Sequence, residues 1–212
     1  MGRFLNRRMA LIAAAAVLAA GPALGAMTDP KTLPEDMSLG NAKARVTVIE
    51  YASASCPHCA RFNNNVFPAF KKKYIDTGKV HYVFREFLTQ PVEIAAAGFL
   101  LARCSGKAKY FATLDDFFHQ QAKLYETGDA KAVINAVGGK AGLSEAEVQT
   151  CLGDEAAAKA LNERVQRYAD KEKVEFTPTF MINGKPLPEQ THEVVLTDLD
   201  AAIAPLLKGK GR

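Results

Sequence analysis

The sequence predicts an α/β fold interrupted by a helical block. Three observations carry that prediction. Short runs rich in β-branched and aromatic residues stand at 45–51, 79–87 and 176–182. Between the second and third lies a stretch, 88–173, that is alanine-rich and helical in period. A Cys-Pro-His-Cys motif, Cys56 to Cys59, falls where the first strand should give way to a helix.

Composition bounds the alternatives. The chain has 212 residues, 48% hydrophobic and 24% charged, which excludes a collagen-like, low-complexity or disordered protein. Four cysteines are too few for a disulfide-stapled miniprotein. The first 26 residues hold three arginines and no acid; without them 24 basic residues face 23 acidic ones, so the net charge falls from +4 to +1. No basic stripe with interleaved aromatics is present, and no nucleic-acid partner is expected.

Residues 1–26 read as a secretory signal peptide. Arg3, Arg7 and Arg8 precede an apolar run over 9–20, shorter than the roughly 20 residues a spanning helix needs. Gly21-Pro22 breaks it, and Ala23 and Gly25 place small residues before a cleavage site after Gly25 or Ala26. An uncleaved anchor is the alternative, and Arg7-Arg8 leaves open twin-arginine export beside general secretion. The mature chain is expected in a compartment where disulfides persist.

The elements follow in order. Residues 27–44, with Pro30 and Pro34, read as a polar lead-in. The strand 45–51 runs into Cys56-Pro57-His58-Cys59, where Pro57 suits the first position of a helix. Phe62, Val66, Phe67 and Phe70 continue at helical spacing, Pro68 should kink that helix, and Gly78 ends it. The strand 79–87 follows. In the helical block, Thr89 is expected to cap a helix reaching Cys104, and 107–125 forms another. Asp129 caps a third, Ser144 with Glu147 makes a capping box for a fourth, and Asp154 caps a fifth through Tyr168. After the strand 176–182, Asn183-Gly184 predicts a hairpin with a return strand at 194–196. Thr197 should then cap a closing helix that Pro205 bends or ends.

The chemistry centres on Cys56 and Cys59. A thiol at a helix N-terminus meets unpaired amides and the positive end of the helix dipole, which favour the thiolate, the species active in exchange. The second thiol, one turn on, can close a ring with the first. Pro57 fixes the turn, and His58 can bring a donor or a charge to the sulfur. Zinc is the competing reading, but it needs three or four ligands. Cys104 and Cys151 stand singly, and His81, His119 and His192 show no ligand spacing to them. No metal is expected and no cofactor is called for.

With the VTVIEY strand ahead of Cys56-Pro57-His58-Cys59, the inserted helices and the later Thr177-Pro178, the mature chain resembles a DsbA-like thiol:disulfide oxidoreductase of the thioredoxin superfamily. The lead-in from Leu39 to Ala44 is similar too. The resemblance implies a bacterial periplasmic protein with a thioredoxin-like fold. It divides the chain into a leader (1–26), a first thioredoxin-like part (27–87), an inserted helical domain (88–173) and a second part (174–212). It implies a cis Pro178 facing the dithiol, with the Thr177 backbone free to pair with an extended substrate. It implies that Glu50 is a buried acid near Cys59. Strand alternation agrees, since Glu50 shares a face with Val46 and Val48 while the other face looks more polar. Cys104 and Cys151 read most simply as a structural disulfide, with two buried free thiols as the alternative.

The expected activity is donation of the Cys56–Cys59 disulfide to unfolded or reduced exported proteins. The resemblance implies a DsbB-type membrane reoxidase as partner. Isomerase or reductase activity is the alternative, favoured by Thr177, which several isomerases of the family carry where its best-known oxidase has valine. An exported metal-binding thiol protein is a further alternative. Against the isomerase alternative, the roughly 18 residues between the cleavage site and the first strand leave no room for the N-terminal dimerisation domain usual in isomerases of the superfamily. Nothing in the sequence suggests an obligate dimer, and a monomer is expected.

Overall fold

A computed structural model describes residues 32–188 and 193–208. The signal peptide expected over 1–26, and His192, lie outside them. Five strands form a mixed sheet in the order β1-β3-β2-β4-β5: β1 Met37–Gly40, β2 Val46–Ala52, β3 Val80–Glu86, β4 Thr179–Ile182 and β5 Lys185–Pro186. Only β2 and β3 run parallel, from Val46↔Val80 to Ala52↔Glu86; the remaining pairs are antiparallel. Between β3 and β4 come five consecutive helices.

The lead-in is more structured than its polarity suggests. Its end, β1, pairs with β3 from Met37↔Phe84 to Gly40↔His81. Four residues are too short a run for periodicity to register, and their strand character comes from the neighbour. Helix α1 (Pro57–Asn65) stops at Val66 and a short α2 (Phe67–Phe70) restarts it. Pro68 supplies no N–H, so the interruption falls just before it. The segment then widens into a π-helical turn, Lys71–Ile75, closed by Asp76 N–H to Lys71 O at 2.9 Å.

Both faces of β2 are buried, although one looked polar in the sequence. Val46, Val48 and Ala52 join Phe62 and Phe70 and, from α8 (Leu196–Lys208), Leu199 and Ile203. On the other face Ile49 and Tyr51 pack with Val83, Tyr168 and Val174. That cover comes from α7 (Glu155–Glu172) and the segment after it, so Tyr51 is fully buried with its hydroxyl bonded to Glu172 and Arg85.

The helical block is α3 Val92–Cys104, α4 Tyr110–Thr127, α5 Ala130–Lys140, α6 Glu145–Leu152 and α7 Glu155–Glu172. Three caps stand where local chemistry puts them. Asp129 accepts from Ala132 N–H and Asp154 from Ala157 N–H, each at 2.9 Å, and Ser144 and Glu147 form the reciprocal box. Thr89 is not a cap: the residue before α3 is Pro91, extended and without a side-chain bond. Cys104 and Cys151 are disulfide-bonded, with 5.9 Å between their Cα atoms, joining the end of α3 to α6. Glu86, at the end of β3, is buried among Arg103 of α3, Tyr110 of α4 and Arg164 of α7.

The Asn183-Gly184 hairpin is present, with positive φ at both residues (47° and 76°), as a two-residue type I′ turn requires. Its return strand is Lys185–Pro186, directly after the turn, and not 194–196. Val195 precedes α8, its N–H bonded to Asp198 at 2.9 Å, while Thr197 lies inside the helix. Pro205 does not end α8, which continues to Lys208.

Candidate active site

The site is built where β2 ends. Ser53 to Ser55 turn the chain, Cys56 is the extended residue before α1, and Pro57 opens the helix. The Cys56 carbonyl already accepts the first helical bond, from Ala60 N–H at 3.1 Å. The sulfur therefore sits at the open end of α1, and the N–H groups of His58 and Cys59 point to it. Both cysteines are free thiols here.

The two thiols have opposite environments. Cys56 is lowered from 9.0 to about 5, first by the Cys59 thiol donating to it, against the opposing effect of burial, then by Thr177 and the two amides. Cys59 is fully covered, and burial pushes it well above its ordinary range; the Ser53 N–H at 3.5 Å offsets this only in part. In the thiol form Cys56 can donate to the Thr177 carbonyl oxygen at 3.4 Å; as a thiolate it is served by the Thr177 side chain instead.

Thr177–Pro178 is cis and brings Thr177 against Cys56. Glu50 is 3% exposed; burial first, and the charge of Cys56 less, raise it to about 8, while a bond from the Tyr82 hydroxyl at 2.5 Å opposes the rise. Its charge in turn raises Cys59. Glu50 also lines a second cavity of about 340 Å³ with Phe67, Tyr82, Phe84 and Phe111 as walls and Asn63, Lys71 and Asp115 among the lining groups.

His58 lies on the surface, side by side with Arg61 and Glu193. Arg61 bonds Glu193 and approaches His58 Nδ1 at 2.8 Å, and Glu193 lies 3.3 Å from the same nitrogen. All three are about half exposed, so the cluster adds little to stability. It borders a groove of about 600 Å³ whose apolar lining includes Phe62, Val66, Phe176, Pro178, Val194 and Val195. Phe176 and Val195 remain 49% and 43% exposed. An apolar groove with polar groups at one edge, next to a reactive sulfur, suits an extended peptide.

The structure thus brings Cys56, Pro57, His58, Cys59, Glu50, Thr177 and Pro178 together; Cys104 and Cys151 are the bonded pair in the helical block. Sequence reasoning missed four groups. Thr89, read as a helix cap, bonds the active-site turn: its N–H to Ser53 Oγ at 3.2 Å and its carbonyl to Ser55 Oγ at 2.9 Å. Tyr82 binds Glu50 from the neighbouring strand, which no local pattern announces. Gln121 and Tyr125 of α4 bond the turn's carbonyls. Gln121 did leave a signal, standing among Leu114, Phe117, Phe118 and Leu124 on the helix's apolar face.

Residues 32–201 match the family model for Thioredoxin. The chain belongs to the thioredoxin family. A relative from Rickettsia typhi, provisionally named a protein-disulfide oxidoreductase, is 35% identical over 176 residues, covering 82% of this chain and 64% of the relative. This chain therefore spans a little under two thirds of that protein's length. Among solved structures, Wolbachia pipientis alpha-DsbA1 superposes with a TM-score of 0.73 at 28% identity, covering 83% of this chain and 92% of that one. Oxidised BdbD from Bacillus subtilis shares the fold, with a TM-score of 0.70 at 20% identity over 82% of this chain and 94% of that one.

The thiol environments set a pH dependence. In the reduced protein Cys56 sits near 5, against 9.0 ordinarily. Between those values the unfolded chain holds a proton there that the fold has lost, so stability rises with pH. The disulfide form has no such group. Glu50, raised from 4.5 to about 8, acts in the opposite direction, but its main cause is burial, common to both forms. The stability of the reduced form relative to the disulfide form is therefore expected to grow from about pH 5 to about pH 9, and to be lost as pH falls through 5. Urea midpoints of both forms at several pH values test this; a constant difference would contradict it.

Proposed function

We propose that this chain is an exported, periplasmic disulfide donor that oxidises unfolded or reduced proteins at Cys56–Cys59. The observation that carries the reading is the asymmetry of the pair: a sulfur at the open end of α1 beside Thr177, favoured as thiolate, and a partner sulfur fully covered and favoured as thiol.

The disulfide form starts the reaction. A client thiolate attacks Cys56 Sγ, the Cys56–Cys59 bond breaks, and Cys59 leaves. Glu50, whose elevated range leaves it protonated at neutral pH, is placed to return a proton to Cys59. A second client thiolate then attacks the client's sulfur in the mixed disulfide and expels Cys56 as a thiolate. The client loses two electrons, and the enzyme gains them as the dithiol. Stabilising the expelled thiolate stabilises the reduced enzyme, which makes the disulfide a strong oxidant. The Thr177 backbone and the groove hold the client as an added strand. Reoxidation falls to a DsbB-type membrane partner, and the chain acts as a monomer.

A second reading, isomerase or reductase, draws on Thr177, whose side chain serves the Cys56 thiolate. The reduction potential decides between them. Equilibration with glutathione, read by mass after thiol trapping with Cys104–Cys151 intact, is expected to give a value near the about −120 mV of DsbA. A value near the about −270 mV of thioredoxin would overturn oxidation and favour the second reading.

A further inference from the structure

Three consecutive carbonyls lead into the dithiol, those of Ala54, Ser55 and Cys56, and two side chains of α4 hold all three. Gln121 Nε2 donates to Ala54 O at 2.8 Å and to Cys56 O at 3.2 Å, and the Tyr125 hydroxyl donates to Ser55 O. Gln121 and Tyr125 are one helical turn apart, so a single helix face grips the whole turn. Gln121 is buried, and a buried amide keeps its place only while its donors are matched. On the other side of the turn, the hydroxyls of Ser53 and Ser55 are bonded to the backbone at Thr89.

The direction in which a side chain leaves the backbone is fixed by the peptide units on its two sides. For Cys56 these are the Ser55–Cys56 unit, held through Ser55 O, and the Cys56–Pro57 unit, which carries no N–H and is held through Cys56 O. Carbonyl oxygens engaged by α4 are also not free to turn their negative ends toward the sulfur. We propose that Gln121 and Tyr125 are positioning residues for thiol exchange: by holding these three carbonyls on α4 they fix the backbone on both sides of Cys56 and so keep its Sγ at the open end of α1. The helical block would then set the reactivity of a thiol carried by another part of the fold. The proposal rests on exchange at Cys56, but not on its direction.

The groups facing Cys56 are Cys59 and the α1 amides, Thr177, the charge of Glu50 from β2, and Tyr125 from α4. Gln121→Met and Tyr125→Phe leave all of these in place except the two α4 donors. Thr113→Val serves as control, since Thr113 is buried on the same helix and bonds Ser105, away from the turn.

Two quantities are read in each variant: the midpoint of thiolate absorbance against pH in the reduced protein, and the equilibrium constant with glutathione. Both α4 variants are expected to raise the midpoint by about half a pH unit and to shift the equilibrium about threefold toward the disulfide form. Thr113→Val should lower the unfolding midpoint and move neither. If the α4 variants lose stability yet keep both quantities at wild-type values, the two residues are structural only and the proposal fails. Should Gln121→Met not fold, Tyr125→Phe decides alone, because Tyr125 is 42% exposed and loses only a hydroxyl. A reducing potential in the wild type would overturn disulfide donation without touching this comparison between variants.

Discussion

Serine at position 56 is expected to abolish disulfide transfer to a reduced peptide, by ~1000-fold or more, the scale of loss when an enzyme is deprived of its covalent centre. Cys56 lies against Thr177, which lines the groove, and keeps 7% of its surface exposed, whereas Cys59 is fully covered. A client thiolate therefore has one sulfur to attack. The matched variant behaves differently. Cys59→Ser keeps the accessible thiol and removes the group that closes the ring. With disulfide-bearing clients, whose bond the Cys56 thiolate attacks with expulsion of a client thiolate, it is expected to accumulate long-lived mixed disulfides at Cys56, seen as mass-shifted species that a reductant releases. Substantial activity in Cys56→Ser, or trapping by Cys56→Ser in place of Cys59→Ser, would reverse the assigned order of attack.

The second large effect concerns stability. Glu86 is 1% exposed and carries four bonds. Its Oε1 accepts from Arg103 Nε at 2.6 Å and the Tyr110 hydroxyl at 3.1 Å, and its Oε2 accepts from Arg164 Nε at 3.0 Å and Nη2 at 2.7 Å. One carboxylate thus ties α3, α4 and α7 to the end of β3. Glu86→Ala would leave the buried Arg164 guanidinium uncompensated, at a cost of about 3–5 kcal/mol. Urea unfolding should show it, as a fall in midpoint at unchanged slope. Replacing Glu86, Arg103 and Arg164 together with apolar residues of similar size should recover most of the loss, because the charges then leave together. A Glu86→Ala protein within 1 kcal/mol of wild type would contradict the assignment.

What the sequence disclosed follows the range of the interactions involved. The caps at Asp129, Ser144 and Asp154 are contacts between residues three apart, and they stand where the residue types put them. The type I′ turn is as local, and Asn183-Gly184 announced it. The return strand was misplaced because the turn itself dictates immediate pairing, Ile182↔Lys185, and apolar character at 194–196 carries no such geometry. Strand β1 was invisible because its reason for being extended lies in β3. In the site, the dithiol and Thr177-Pro178 were legible as motifs, and Glu50 through the resemblance they carry; alternation added little, since both faces of β2 are buried. Tyr82 and Thr89 were not, since each is defined by a partner more than 30 residues away. Gln121 was legible in principle: a polar residue on an apolar helix face asks what it bonds.

The sheet is bounded by two very short strands, β1 of four residues and β5 of two. Gly40, in the left-handed region at φ 85°, ends the first, and the second consists of a lysine and a proline that has no N–H to offer. Unpaired strand edges recruit other extended chains, and charge, proline and brevity are what blunt them. A protein whose proposed clients are unfolded polypeptides is exposed to such chains at every turnover. Apart from the Thr177 backbone, where a client is proposed to pair during exchange, the described sheet edges give them almost nowhere to add on, so a client held beside Cys56 meets a place to exchange and leave rather than a template for co-aggregation.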